Sequence, residues 1–360
     1  MNVKATVRLH APIIGLVVLV LLAALWAALG RIGWRLPPLP VPLLGQHGAL
    51  MISGVLGTLV SLERAVALQK RWAYAVPILA GLGALALFSG LPSEIGRGLI
   101  TLAALGLVVV FRLIYRLRST IDIGTMALGA IMWLMGNALW LFGLAAYHAA
   151  GWWAGFLILT IAGERLELSR VLILNERSRN FFKIALAVFS IGLLVSLAAF
   201  DAGLRLAGAG LILFGAWLLR FDVARRTIRK DGLTRFIAAC LLPGYGWLMI
   251  GGALWLIVGG TSTNGFLYDA MYHALFLGFV FSMIFGHAPI IVPAVVPVDV
   301  EYRPRFYVHL ALLQLSLVVR VIADLWAAQP VRQWAGLINV LTVLFFLFNM
   351  ARAVRRRPAA

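Results

Sequence analysis

Twelve apolar runs, each about as long as a bilayer crossing and separated by short basic connections, leave this chain little choice of fold. About 20 apolar residues suffice to cross a hydrocarbon core as a helix, and inside lipid a backbone has to satisfy its own hydrogen bonds. The runs lie near 13–30, 47–68, 72–91, 96–114, 123–146, 152–174, 181–200, 204–219, 236–258, 266–293, 306–326 and 334–350. With 62% hydrophobic and 12% charged residues, and a mean hydropathy of +0.98, the chain departs far from a soluble domain, in which about a quarter of residues are charged. The expected fold is an all-α polytopic membrane protein of twelve transmembrane helices, forming a single transmembrane domain over 1–360.

A net charge of +18 would suit a nucleic-acid binder if it lay along one face, but here the basic residues fall in clusters between apolar runs and act as topology signals. The expected partner is the lipid bilayer and no nucleic acid. Assigning the connections to alternate sides puts 25 of the 31 Lys and Arg residues on one side. By the positive-inside rule that side is cytoplasmic, as are both termini, in a bacterial inner membrane. The first run follows Lys4 and Arg8 as a signal peptide would. It is too long for one and ends at Arg31 without a small-residue cleavage site, so it reads as a retained helix.

Internal repetition organises the runs further. The string Trp133-Leu-Met-Gly-Asn-Ala-Leu-Trp140 returns as Trp247-Leu-Met-Ile-Gly-Gly-Ala-Leu-Trp255 with one insertion. Trp26, Trp140 and Trp255 stand 114 and 115 residues apart. The runs that follow these tryptophans share a pattern that opens at Gly54, Gly155 and Gly278 and closes on Glu63-Arg64, Glu164-Arg165 and His287-Ala288. Three pseudo-symmetric four-helix units are expected, over about 1–118, 119–230 and 231–360, with runs two, six and ten equivalent.

Histidine inside such a run needs a reason. The tenth run carries His273 and His287, fourteen residues apart, which at about 1.5 Å per residue sets the rings roughly 21 Å apart on nearly the same helix face. His47 opens the second run, His148 lies just before the sixth and His309 begins the eleventh. Neutral imidazole is a common metal ligand, although a lone intramembrane histidine can equally hydrogen-bond a neighbouring helix. Cys240 is the only cysteine. That removes any intrachain disulfide, cysteine zinc site or covalent CxxCH haem attachment, so a bound haem would be non-covalent.

Histidines in helices two and ten of a twelve-helix chain resemble the catalytic-subunit architecture of haem-copper oxidases, where one histidine from each of those helices holds a low-spin haem. His47 and His273 match those roles. The family's copper ligands come from helices six and seven, where this sequence has no histidine, which argues against oxygen reduction. A nearer resemblance is to the NnrS family of haem- and copper-containing membrane proteins linked to nitric oxide metabolism. It is carried by Gln46-His47-Gly48-Ala49-Leu50-Met51, by His273-Ala274-Leu275-Phe276-Leu277-Gly278, by Gly286-His287-Ala288-Pro289 and by Arg320-Val321. One histidine of the helix-two motif is absent, and Thr-Gly-Arg after the last histidine is replaced by Ala-Pro-Ile. The resemblance implies haem b held by His47 and His273, copper at a second site with His287 as ligand, and a small gas such as nitric oxide as ligand. By their positions in the chain His309, close after the tenth run, and His148, at the start of the sixth, are further metal-ligand candidates beside their reading as interface residues.

Other polar residues divide between anchoring and chemistry. Glu63, Arg64, Glu164 and Arg165 sit about one turn from the cytoplasmic surface, where arginines snorkel; the rival reading makes the two glutamates proton-relay carboxylates facing His287. Glu167 and Arg170 at i, i+3, and Arg320 and Asp324 at i, i+4, have the spacing of helical pairs. Asn137 has to hydrogen-bond between helices. His10, ahead of the first helix, reads as a surface residue and His309 as an interface one. Three functions remain open: a haem- or copper-binding protein in nitric oxide or respiratory redox chemistry, a secondary transporter, and a non-catalytic membrane subunit or assembly factor. Whether the chain is an enzyme is left open, as is its oligomeric state.

Overall fold

A computed structural model describes residues 3–37, 43–169, 175–296 and 298–356. It is all-α in its principal elements, which are α1 (Val3–Arg31), α2 (Leu43–Leu68), α3 (Arg71–Phe88), α4 (Ser93–Leu117), α5 (Ile121–Leu141), α6 (Ala146–Leu168), α7 (Glu176–Val195), α8 (Phe200–Phe221), α9 (Gly232–Thr261), α10 (Gly265–Val295), α11 (Phe306–Leu325) and α12 (Gln329–Ala353). Among the described residues, eleven of these helices are long and apolar enough to cross a membrane. The expected sixth span is present as the 23-residue helix α6 but is not one of the eleven. His148 and the Glu164, Arg165 and Glu167 group load both of its ends with polar side chains. Outward-facing Leu102, Ile184, Leu194 and Leu315 are each more than half exposed; large apolar surface of this kind marks contact with a membrane or a partner, and with the eleven apolar helices it suggests a multi-pass membrane protein.

Local chemistry fixes several ends. Asn175 caps α7 by accepting the Ser178 backbone N–H at 2.9 Å, a preferred role for asparagine, and Pro330 occupies the first turn of α12, where its missing N–H costs nothing.

Two compact units divide the chain. The first comprises Met1–Thr160, Ile291–Asp299 and Arg356–Ala360. Within it α1 packs on α2 and α3, α3 on α4, and α4 on α5. The Trp133 ring lies directly over Gly57, in space that a side chain there would fill. His10, expected at the surface, is buried: its Nδ1 meets the Val295 carbonyl at 2.7 Å and its Nε2 the Tyr74 hydroxyl at 3.1 Å. The long apolar run around it is already helical from Val3, so His10 falls inside α1 rather than before it.

The second unit comprises Ile161–Ile290 and Val300–Arg355. Here α7 packs on α8, α8 on α9, α9 on α10, α10 on α11 and α11 on α12. The α8–α9 contact is backbone against backbone, because a Cβ on Gly208 would lie 2.6 Å from the Gly252 carbonyl oxygen. Small residues at such crossings are how helices approach closely when lipid offers no hydrophobic drive for association.

Candidate functional site

Neither α2 nor α10 is a regular α-helix throughout. In α2, three residues after His47 opens a short α-helical turn, the backbone shifts to i→i+5 bonding over Leu50–Leu56, and the Gly57 N–H reaches back to the Ile52 carbonyl. In α10 the same change begins at the residue after His273 and covers Ala274–Phe281. Wide turns of this kind concentrate at functional sites.

Both histidines are tied down at Nδ1. His47 Nδ1 lies 2.9 Å from the Ala24 carbonyl of α1. His273 Nδ1 lies 2.9 Å from the Asp269 carbonyl and 3.2 Å from the Asp269 carboxylate, one helical turn back. Donation to a carbonyl fixes the proton on Nδ1 and puts the ring's lone pair on Nε2, the tautomer and outer-shell arrangement that ligating histidines use.

Asp269 belongs to a larger cluster at this end of the second unit. Arg320 holds its Oδ2 with two N–H groups, at 2.7 and 3.0 Å, while Arg332 stands 3.5 Å from Oδ1. Asp324 lies 2.9 Å from Arg332 Nε. The expected Arg320–Asp324 pair is thus replaced: Arg320 reaches across to α10, and Asp324 is matched from α12. Asn339 accepts from Arg320 at 3.3 Å and donates to Ser316 at 2.7 Å. Burial makes such exchanges decisive, since a buried arginine needs its carboxylate within direct reach.

A second cluster surrounds His287. Its Nδ1 donates to the Met283 carbonyl at 2.8 Å, and its Nε2 accepts from Arg165 Nη1 at 3.2 Å. Arg165 in turn forms a two-pronged pair with Asp222, at 2.8 and 2.9 Å, and the same carboxylate accepts the Ala224 N–H, at the start of the short helix Ala224–Thr227, at 2.7 Å. The fully buried Tyr245 stands beside this pair. It is Arg165, not its neighbour Glu164, that meets His287. Asp222 and Tyr245 had no part in the sequence reading.

The other expected residues separate. His309, read as an interface residue, is fully buried; Asn349 lies 3.2 Å from its Nδ1, and the rings of Phe236, Phe285, Phe306, Phe345 and Phe346 enclose it. His148 is half-buried in the first turn of α6 with its ring 4.2 Å from that of Tyr147. Glu63 pairs with Arg64 at 2.8 Å, and Arg64 also lies over the Phe111 ring. Glu164 is half-buried, and Arg170 lies outside the described residues. Asn137 accepts from Trp153 Nε1 at 3.1 Å and from Ser53 Oγ at 3.2 Å and donates to the Trp133 carbonyl at 2.9 Å, while Trp133 Nε1 donates to Ser53 at 3.0 Å. That network crosses three helices.

Among the described residues, no three His, Cys, Asp or Glu side chains gather into a metal site. A copper ion held by three or four protein ligands therefore has no ready-made cage there, whereas a haem asks the protein for only one or two axial ligands.

A search of curated proteins finds no match. A family model described as a domain of unknown function (DUF8744) matches residues 8–355. The chain belongs to that family.

Proposed function

We propose that this chain is a haem-binding integral membrane protein in nitric oxide or respiratory redox chemistry, with His47 and His273 as axial-ligand candidates. The observation that carries the reading is the setting of His273: Nδ1 faces the Asp269 carbonyl and carboxylate, which in a neutral imidazole leaves the lone pair on Nε2, and the ring stands where α10 changes its hydrogen bonding. His47 Nδ1 is likewise held by a carbonyl, that of Ala24, and a change of winding begins three residues after it. A haem bound at either histidine would supply one-electron or gas-ligand chemistry; the protein's residues would hold the ligand ring, exclude water and set the local charge. The resemblance to the NnrS family supports this reading. Copper, the accompanying expectation, has weaker support because the described residues hold no three-ligand group. Twelve spans in three four-helix units, with both termini cytoplasmic in a bacterial inner membrane, complete the proposal, supported by the repeats and the basic asymmetry.

The test is the visible spectrum of the protein purified from membranes in mild detergent, with haem extraction and metal analysis. Non-covalently bound haem b is expected, lost or spectrally altered in H273A and H47A. A colourless protein without haem or copper, from cells able to supply both, would overturn the proposal.

A second reading, secondary transport, is favoured by one observation: the second unit buries two separate arginine–aspartate clusters, and ionisable groups inside a membrane mark ion and proton routes. Uptake of a labelled solute or proton into proteoliposomes by haem-free protein would favour it.

A further inference from the structure

We propose that Asp269 is the positioning residue of His273, setting both the grip and the electron-richness of that imidazole through a carboxylate that Arg320 and Arg332 hold in place. The inference rests on the haem reading above and adds to it a residue outside the motifs quoted for that reading.

Asp269 and His273 are i, i+4 on α10 and so lie on the same face one turn apart. Backbone and side chain of the one aspartate both face one ring nitrogen: the carbonyl at 2.9 Å and Oδ1 at 3.2 Å. The carbonyl alone would fix the tautomer. The carboxylate adds negative charge next to the Nδ1–H, which makes Nε2 a stronger donor to a metal. A carboxylate only 14% exposed is costly unless matched. Here Arg320 engages Oδ2 twice, leaving Oδ1 toward the histidine, and Arg332 stands at the shared oxygen. Asp324 answers Arg332, so the cluster carries two carboxylates and two guanidiniums. Arg320 is itself held by Asn339, which Ser316 holds in turn. That chain of contacts, drawn from α11 and α12, locks the aspartate's rotamer. A carboxylate present only to neutralise the arginines would have no need to point an oxygen at the ring.

The proposal predicts that D269N, loaded with haem, releases it about 10-fold more readily, at the lower end of the usual effect of removing an outer-shell partner. Its reduction potential should rise, because a less electron-rich imidazole stabilises ferric iron less. D269E should return part of both changes. D269N also leaves an excess of buried positive charge, so D269N/R320Q, which removes one charge of each sign, serves as the variant that keeps the cluster balanced. It too should show the raised potential. If Asp269 were only structural, D269N would lose thermal stability while D269N/R320Q matched wild type in potential and haem retention; that result overturns the inference and leaves the haem reading intact. Wild-type protein that binds no haem overturns both.

Discussion

Arg165 and Asp222 meet side-on, Nε to Oδ2 at 2.8 Å and Nη2 to Oδ1 at 2.9 Å, with their side chains 4% and 0% exposed. The two residues are 57 positions apart in the chain. Removing one partner of a buried pair strands the other charge and costs about 3–5 kcal/mol, whereas replacing both with apolar groups is often close to neutral. R165M and D222L should therefore each destabilise the protein strongly, and the double variant should be more stable than either. Thermal unfolding in detergent for the four proteins of the cycle measures this coupling. Additive losses would mean that the contacts with His287 and the Ala224 N–H outweigh the ion pair.

Asn137 is the one acceptor shared by Trp153 Nε1 and Ser53 Oγ. Replacing it with leucine, which has the same branching and number of side-chain heavy atoms and none of its polarity, leaves those donors buried without a partner at about 1–3 kcal/mol. N137L should lower the unfolding temperature and change the tryptophan fluorescence, because Trp133 and Trp153 both belong to the network. N137Q should fall between the two. Wild-type stability in N137L would show that lipid or water already serves these groups.

The helices were legible because the chain is built of long apolar runs, and a run that leaves water has to satisfy its own backbone hydrogen bonds, as a helix does. Partner choice was not legible to the same degree. Arg320 and Asp324 have the spacing of a local pair, yet tertiary packing gives Arg320 to Asp269 and Asp324 to Arg332. Asp269 carried a usable signal, since it lies one turn before His273 on the same helix. Asp222 carried none: it follows Arg220 in a stretch rich in arginine and reads as a surface acid until α6 brings Arg165 to it. The wide turns after His47 and His273 are equally silent in sequence, because Leu50–Leu56 and Ala274–Phe281 have the composition of any membrane helix. His309 shows the converse, a histidine at the start of a span whose burial is set by five phenylalanines from α9, α10, α11 and α12.

Gly208 and Gly252 hold α8 and α9 at backbone contact. A methyl on Gly208 would come 2.6 Å from both the Gly252 oxygen and the Leu256 nitrogen, and backbone cannot rotate out of the way as a side chain can. G208A should destabilise by about 1–3 kcal/mol, the usual cost of overpacking. Gly246, on the same α9, has nothing within 4 Å of the equivalent point. G246A should be neutral or stabilising by up to about 1 kcal/mol, the helix-propensity difference between the two residues. Unfolding of the two variants side by side decides it, and equal effects would refute the close approach.

Glu301 lies between α10 and α11, outside the spans, half-exposed and paired with two arginines. Arg355 donates to its Oε2 at 2.9 and 3.2 Å and Arg303 at 3.0 Å. Arg355 first and Arg303 second hold its carboxyl below the ordinary glutamate value of 4.5. A carboxyl with a depressed folded pKa contributes stability that is fully present above its unfolded value. The contribution is lost as the pH falls through the folded value, because protonation then occurs more readily in the unfolded chain. The stability difference between wild type and E301Q should accordingly be small, flat above about pH 5, and shrink as the pH is lowered further. Added salt should reduce it at every pH, since the pair faces solvent. Unfolding of both proteins across the acid range, at two ionic strengths, measures the effect. A difference that grew as the pH fell would show that the pairing does not hold in solution.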